Sequence, residues 1–239
     1  MTDHLQFLEL SIPAADVQES LAWYRAIGFS ELPTTEARPR QYAVISNGEI
    51  CIGLHGETLD RPGLTFVRRD LAQFARSRLA AGQEFERCDL GVDEFHEVRQ
   101  RDPDGLLAIL LEARTFSPGH IDVGNRTIGK LLNVVLPCLD VSDSLGFWQG
   151  YGFIGVENPA SGTVELHMPG LTLNLSAANR YLTLRFQPYD FDASMQELRR
   201  DHAVKAISAT AGRGAEITAP EGTRIQLLDL EGSQALPRN

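Results

Sequence analysis

Lysine is the scarcest charged residue: Lys130 and Lys205 are the only two in 239 residues. Catalysis through a lysine Schiff base is therefore a poor fit. Cysteine is sparse as well. Cys51, Cys88 and Cys138 are odd in number and widely spaced, which excludes a disulfide framework or a CxxC motif and predicts a reducing, cytoplasmic setting. Basic clusters are missing. The net charge is -10, with 22 Lys+Arg against 32 Asp+Glu, so neither nucleic acid nor an anionic membrane is an expected partner. The longest apolar run, Leu106 to Leu111, is far too short to span a bilayer. The opening residues Met1-Thr2-Asp3-His4 lack the basic and apolar stretches of a signal peptide. No GxSxG elbow, P-loop or dinucleotide-binding glycine pattern occurs. The histidines (4, 55, 96, 120, 167 and 202) show no HxH or HxxxH spacing, and each reads as a surface or strand-edge side chain. What remains is an ordinary globular mixture, 43% hydrophobic and 23% charged.

What is present is an internal repeat. Asp16-Val17 through Ser20-Leu21, Trp23-Tyr24 and Gly28-Phe29 recurs at a constant offset as Asp140-Val141, Ser144-Leu145, Phe147-Trp148 and Gly152-Phe153. Asp102-Pro103-Asp104-Gly105 is echoed by Ala219-Pro220-Glu221-Gly222. The chain divides into two similar halves, 1–118 and 128–239, with the Pro/Gly-bearing stretch 117–125 as linker. Acidity is concentrated in the first half: 12 basic against 19 acidic side chains over 1–119, and 10 against 13 over 120–239.

Each half divides again. A strand at 8–12 leads into a helix capped by Asp16 and stopped by Gly28. Strands at 42–45 and 49–54 flank the hairpin signal Asn47-Gly48. A second unit follows, with a strand at 64–67, a helix over 70–80 stopped by Gly82, and strands at 96–99 and 107–111. The second half repeats the order, with strands at 131–138, 163–168, 171–176, 181–186 and 224–229 and helices at 141–150 and 191–200. The pattern is β-α-β-β-β four times. The helices are too few and too short for a doubly wound parallel sheet, so the class is α+β, with helices on one face of mostly antiparallel sheets.

The string from Glu9 through Asp16 to Trp23-Tyr24 and Gly28-Phe29 resembles the opening of the vicinal-oxygen-chelate superfamily. That superfamily holds glyoxalase I, type I extradiol dioxygenases, fosfomycin-resistance transferases and bleomycin-resistance proteins. The turn Asp102-Pro103-Asp104-Gly105 before an apolar strand is similar to its closing signature. The resemblance covers almost the whole chain. It implies four βαβββ modules forming two glyoxalase/bleomycin-resistance-like domains with curved mixed sheets. Through the pair Phe147-Trp148, and through its lack of metal ligands, the chain is most similar to the metal-free bleomycin-resistance branch. The resemblance implies a fold and leaves the chemistry open, since one fold hosts many activities.

Metal-dependent members of that superfamily hold a divalent ion in a sheet cup, on His or Glu from the first and last strands of the modules. Counting from the aromatic pair and the closing turn, these positions fall on Glu9, near Ile52, beside Gly63 and on Ile109. In the second half they fall on Asn133, Asn174, Thr183 and Gln226. Only Glu9 is a good ligand, while a catalytic metal usually takes about three. No metal and no other cofactor is expected.

Strand alternation sets the character of each cup. In the first, Phe7, Glu9 and Ser11 share a face with Ile52, Leu54, Leu107 and Ile109. That cup is apolar with one carboxylate, and Glu9 is the candidate catalytic base. In the second, Thr183 and Arg185 oppose Leu184 and Phe186, joined by Asn133, Asn174, Arg224 and Gln226. That cup is polar and suits a hydrogen-bonding or acidic small ligand. Trp23, Tyr24, Phe147 and Trp148 fall at core spacing on helices and read as packing. The expected function is metal-free small-molecule binding. Two alternatives stand beside it: a glyoxalase-like lyase, dioxygenase or isomerase with a degenerate metal site, and a regulatory or scaffold protein whose cups are vestigial. The chain would act as a monomer mimicking a dimer of two-module units, or as a homodimer, and modules could pair within or across halves.

Overall fold

Asp16 starts the first helix for a local reason. Its Oδ1 accepts the N–H groups of Gln18 and Glu19 at 3.0 and 2.9 Å, satisfying donors that the first helical turn leaves open. Asp140 does the same for Ser142 and Asp143 at 2.7 and 3.1 Å. Gly28 and Gly152 follow the two helices at φ +99° and +91°, a region that residues with a Cβ enter only with strain. The duplication seen in sequence is thus a duplication of capping devices.

The computed structural model describes residues 5–33, 41–56, 59–92, 95–113, 127–158, 163–200, 208–209 and 214–230. The expected linker, 117–125, lies outside them. Module one comprises β1 (Gln6–Pro13), α1 (Val17–Ala26), β2 (Ser30–Leu32), β3 (Tyr42–Ser46) and β4 (Cys51–His55). Module two comprises β5 (Gly63–Arg68), α2 (Leu71–Ala80), β6 (Arg87–Asp89), β7 (Glu97–Arg101) and β8 (Leu107–Glu112). Module three is β9 (Lys130–Pro137), α3 (Val141–Gly150), β10 (Ile154–Asn158), β11 (Thr163–Met168) and β12 (Leu171–Ser176). Module four is β13 (Thr183–Gln187), α4 (Phe191–Arg200), β14 (Ser208–Ala209), β15 (Gly214–Thr218) and β16 (Arg224–Leu228). None of these helices is long and apolar enough to cross a membrane.

Two eight-stranded mixed sheets result, ordered β2-β3-β4-β1-β5-β8-β7-β6 and β10-β11-β12-β9-β13-β16-β15-β14. The class is α+β. Modules pair within halves: β1 runs antiparallel to β5, and β9 to β13, while β1–β4, β5–β8, β12–β9 and β13–β16 are parallel. Val17, Leu21 and Tyr24 of α1 bury against Leu10, Ile12 and Leu54, and the core continues through both halves. Phe66 of β5 meets Trp148 and Phe153 of the second half, with centroids 6.5 and 6.1 Å apart. Tyr24, Trp148 and Trp23 are buried in this core.

The halves also dock reciprocally. Ser20 and Tyr24 of α1 donate to Glu221 in the closing turn of module four, at 2.9 and 2.8 Å. Ser144 of α3 donates to Asp104 in the closing turn of module two at 2.8 Å. Each helix therefore holds the other half's turn.

Three expected cup residues face the helices instead. Ile52 is fully buried in the helix-side core, because β4 sets Cys51, Gly53 and His55 on the opposite face. Leu54 follows Ile52. Phe7 also leaves the cup. A bulge between Phe7 and Glu9 shifts the register, so that Phe7 pairs with Phe66 while Glu9 pairs with Thr65. The Phe7 and Phe66 rings then pack edge to face at 6.0 Å.

Candidate functional site

Each sheet carries its candidate site on the face away from the helices, around the central strands. In the first half, β1 contributes Glu9 and Ser11, β4 contributes Gly53 and His55, β5 contributes Thr65, and β8 contributes Leu107 and Ile109. Glu9 is 4% exposed. Its Oε1 accepts from Ser11 Oγ at 2.9 Å and lies 3.0 Å from His55 Nε2, while its Oε2 accepts from the Tyr42 hydroxyl at 2.8 Å. Ser11 and Thr65 hydroxyls meet at 2.6 Å. Gly53 is required beside this network: a Cβ there would fall within 2.7 Å of three carboxyl atoms of Glu9. Leu59, Leu107 and Ile109 form a separate buried apolar cluster on this side of the sheet.

Glu9 and Ile109 thus stand in the first cup, whereas Ile52 and Phe7 do not. Sequence reasoning passed over His55 and Tyr42. His55 is 8% exposed and is no strand-edge side chain. The available signal was the alternation Cys51, Gly53, His55 on one strand face. Cys51 offers no ready thiolate, since burial pushes its thiol up and the charge of Glu9 adds to the effect.

In the second sheet Asn133, Asn174, Thr183, Arg185, Arg224 and Gln226 lie on one face. Asn133, Arg185, Gln226 and Glu216 form one row across β9, β13, β16 and β15. The next row runs from Asn174 through Val135 and Thr183 to Arg224. Arg185 Nε donates to Gln226 Oε1 at 3.0 Å, and Gln226 Nε2 donates to Glu216 Oε2 at 2.9 Å. Glu216 Oε1 accepts from Arg224 Nη1 at 2.7 Å. The Arg224 guanidinium also lies 3.8 Å from the centroid of the Tyr181 ring. Glu216, set on the cup face of β15 by the burial of Ala215 and Ile217 on the other, therefore neutralises one of the two arginines. Burial pulls the Arg185 guanidinium below the ordinary arginine value. The Oδ1 atoms of Asn133 and Asn174 are buried and meet no hydrogen-bond partner among the described residues.

Neither cup fits a tightly held divalent metal. Among the described residues no three His, Cys, Asp or Glu side chains cluster. The first cup offers Glu9 and His55, already engaged with each other. The second offers amides, a hydroxyl, two guanidiniums that would repel a cation, and the Glu216 carboxylate, already held by Arg224 and Gln226. About three strong ligands are needed.

No protein-family model matches the chain, and no curated protein matches it in sequence. Solved structures do match in fold. An extradiol ring-cleaving dioxygenase from B. fuscum aligns at TM-score 0.66 and 16% identity, over 94% of this chain and 71% of the other. A catechol 2,3-dioxygenase aligns at TM-score 0.64 and 15% identity, over 95% and 88%. A Mn(II)-bound glyoxalase from Novosphingobium aromaticivorans aligns at TM-score 0.61 and 15% identity, over 95% and 82%. The chain thus shares the fold of these dioxygenases and of this glyoxalase.

Proposed function

We propose that the chain binds a small organic molecule in its sheet cups without a resident metal ion. The donor set of the second cup carries this reading. Asn133, Asn174, Thr183, Arg185 and Gln226 share one sheet face on four central strands. These groups can hydrogen-bond a ligand but cannot offset the desolvation of a divalent cation. The relatives in fold include enzymes, one of them Mn(II)-bound. Its two units, 1–118 and 128–239, lie on one chain, so a single copy supplies what a dimer of two-module chains would assemble.

A second reading gives Glu9 a catalytic role as the base of a metal-independent isomerase or lyase. It is favoured by the 3.0 Å contact with His55, which could relay a proton. The first reading stands ahead because Ser11, Tyr42 and His55 already engage both oxygens of that carboxylate.

Elemental analysis of the purified protein after dialysis tests the metal-free reading. The expected result is no stoichiometric metal, with a melting temperature unchanged by a chelator. Stoichiometric zinc, nickel, manganese or iron that survives dialysis overturns it.

A further inference from the structure

We propose that the second cup takes a small organic carboxylate, its negative end against the Arg185 guanidinium and an adjacent hydroxyl or N–H given to Asn133 and Asn174. This rests on the small-molecule-binding reading and specifies the ligand class.

The charge balance around Arg185 is incomplete. Among the described residues Arg185 commits only Nε, to the neutral Gln226. The carboxylate of its own row, Glu216, is shared between Gln226 and Arg224. On the neighbouring row Glu165 stands beyond Asn174, and its carboxylate lies 3.6 Å from His167. Among the described residues Arg185 has no carboxylate in ion-pair contact. A partly buried cation without a counter-charge is costly, and the cost is relieved when an anion arrives. A guanidinium with Nε occupied still presents the outer N–H pair that matches a carboxylate.

The second element is the unpartnered amides. Asn174 is 5% exposed and Thr183 only 2%, while Asn133, Arg185 and Gln226 are half-buried and open to a ligand. Both asparagine Oδ1 atoms are buried without a donor, and an unsatisfied buried acceptor costs about 1–3 kcal/mol. Asn133 is the direct cross-strand partner of Arg185. A ligand reaching the guanidinium therefore lies beside an acceptor. A carboxylate bearing a hydroxyl or amine on the next carbon satisfies both at once. Chloride or sulfate offers no such donor, and a neutral alcohol leaves Arg185 unpaired.

The experiment uses the whole chain. Lactate, malate, mandelate and salicylate, each at up to ~10 mM, are tested by thermal shift and calorimetry beside lactamide and mandelamide. The expected result is that at least one carboxylate binds, that its amide binds at least about tenfold more weakly, and that Arg185→Gln erases the difference. Comparing acid with amide on the unaltered protein keeps the test decisive if the variant fails to fold. If the amides bind as well as the acids, the carboxylate assignment is wrong and the cup reading survives. If nothing in either set binds, both fail. Binding that requires added Mn(II) or Zn(II) overturns the metal-free reading itself. Carboxylate binding that Arg185→Gln leaves intact and Glu9→Gln removes puts the ligand in the other cup and overturns the inference.

Discussion

Tyr24 and Glu221 come from opposite halves of the chain and meet hydroxyl to carboxylate at 2.8 Å inside the shared core. Burial first, then the charge of Glu221, pushes the Tyr24 hydroxyl well above the ordinary phenol value, so it is a donor at any working pH. Glu221 also accepts from Ser20 at 2.9 Å. Removing the hydroxyl leaves a part-buried carboxylate short of a partner. Tyr24→Phe should lose about 1–3 kcal/mol in urea unfolding. A double-mutant cycle with Glu221→Gln should return a coupling of about 1 kcal/mol. Independent, additive effects would mean that the halves do not dock through this contact in solution.

Gly53 and Glu9 give the second prediction. A Cβ at position 53 would enter the space of the Glu9 carboxyl. Gly53→Ala should therefore destabilise by about 1–3 kcal/mol through overpacking. Glu9→Ala alone should also destabilise, because Ser11, Tyr42 and His55 lose their shared acceptor. The two changes should be less than additive, since the second makes room for the first. Thermal melts of the four proteins check this, and full additivity would contradict the packing.

These residues also show what could be read before the fold was seen. α1 and α3 were legible because their signals are local: an Asp cap, a short apolar stripe and a closing glycine. Strands β11 and β12 were legible because Leu alternates with polar residues between tight turns. The outer strands β2, β6, β10 and β15 are only three to five residues long, too short for alternation such as that of Ala215 and Ile217 against Glu216 and Thr218 to stand out, and with β15 went Glu216. Ile52 was set on the wrong face because side chains alternate strictly, so that miscounting by one residue inverts a strand. Phe7 was misplaced by a bulge, which depends on pairing with a strand more than fifty residues away. His55 has no spacing partner in sequence; its partner, Glu9, is brought to it by the parallel pairing of β1 and β4.

Asp102 supplies a pH prediction. Its buried carboxyl accepts the N–H groups of Asp104 and Leu106 at 3.0 and 2.8 Å. Burial nevertheless dominates and raises it above the ordinary aspartate value of about 3.9. Between about 3.9 and the folded value the unfolded chain loses this proton first. The native state then binds more protons, and the contribution of Asp102 to stability falls as pH rises through that window. Above it the cost of the buried charge is complete. Asp102→Asn keeps an acceptor oxygen and removes the charge. The stability of the variant relative to the parent should thus be more favourable at about pH 7 than at about pH 4. Urea unfolding at both conditions measures this, and the reverse trend would contradict it.

Glu216 sets the charge of the second cup and yields the last prediction. It accepts from Arg224 at 2.7 Å and Gln226 at 2.9 Å, so it offsets one arginine and holds the glutamine that in turn positions Arg185. Glu216→Gln removes that negative charge while keeping an acceptor for one of the two donors. The fold should lose about 1–2 kcal/mol from the other. The cup becomes more positive by one charge, and the carboxylate that binds the parent protein best should bind several-fold more tightly. That gain should shrink as salt screens the partly exposed Arg224. The matched amide carries no charge and should not share the gain. Calorimetric titration of both probes at low and high salt separates the effects. Equal tightening of acid and amide would trace the change to shape, and weaker binding of the acid would mean that Glu216 holds Arg185 in place more than it opposes the ligand.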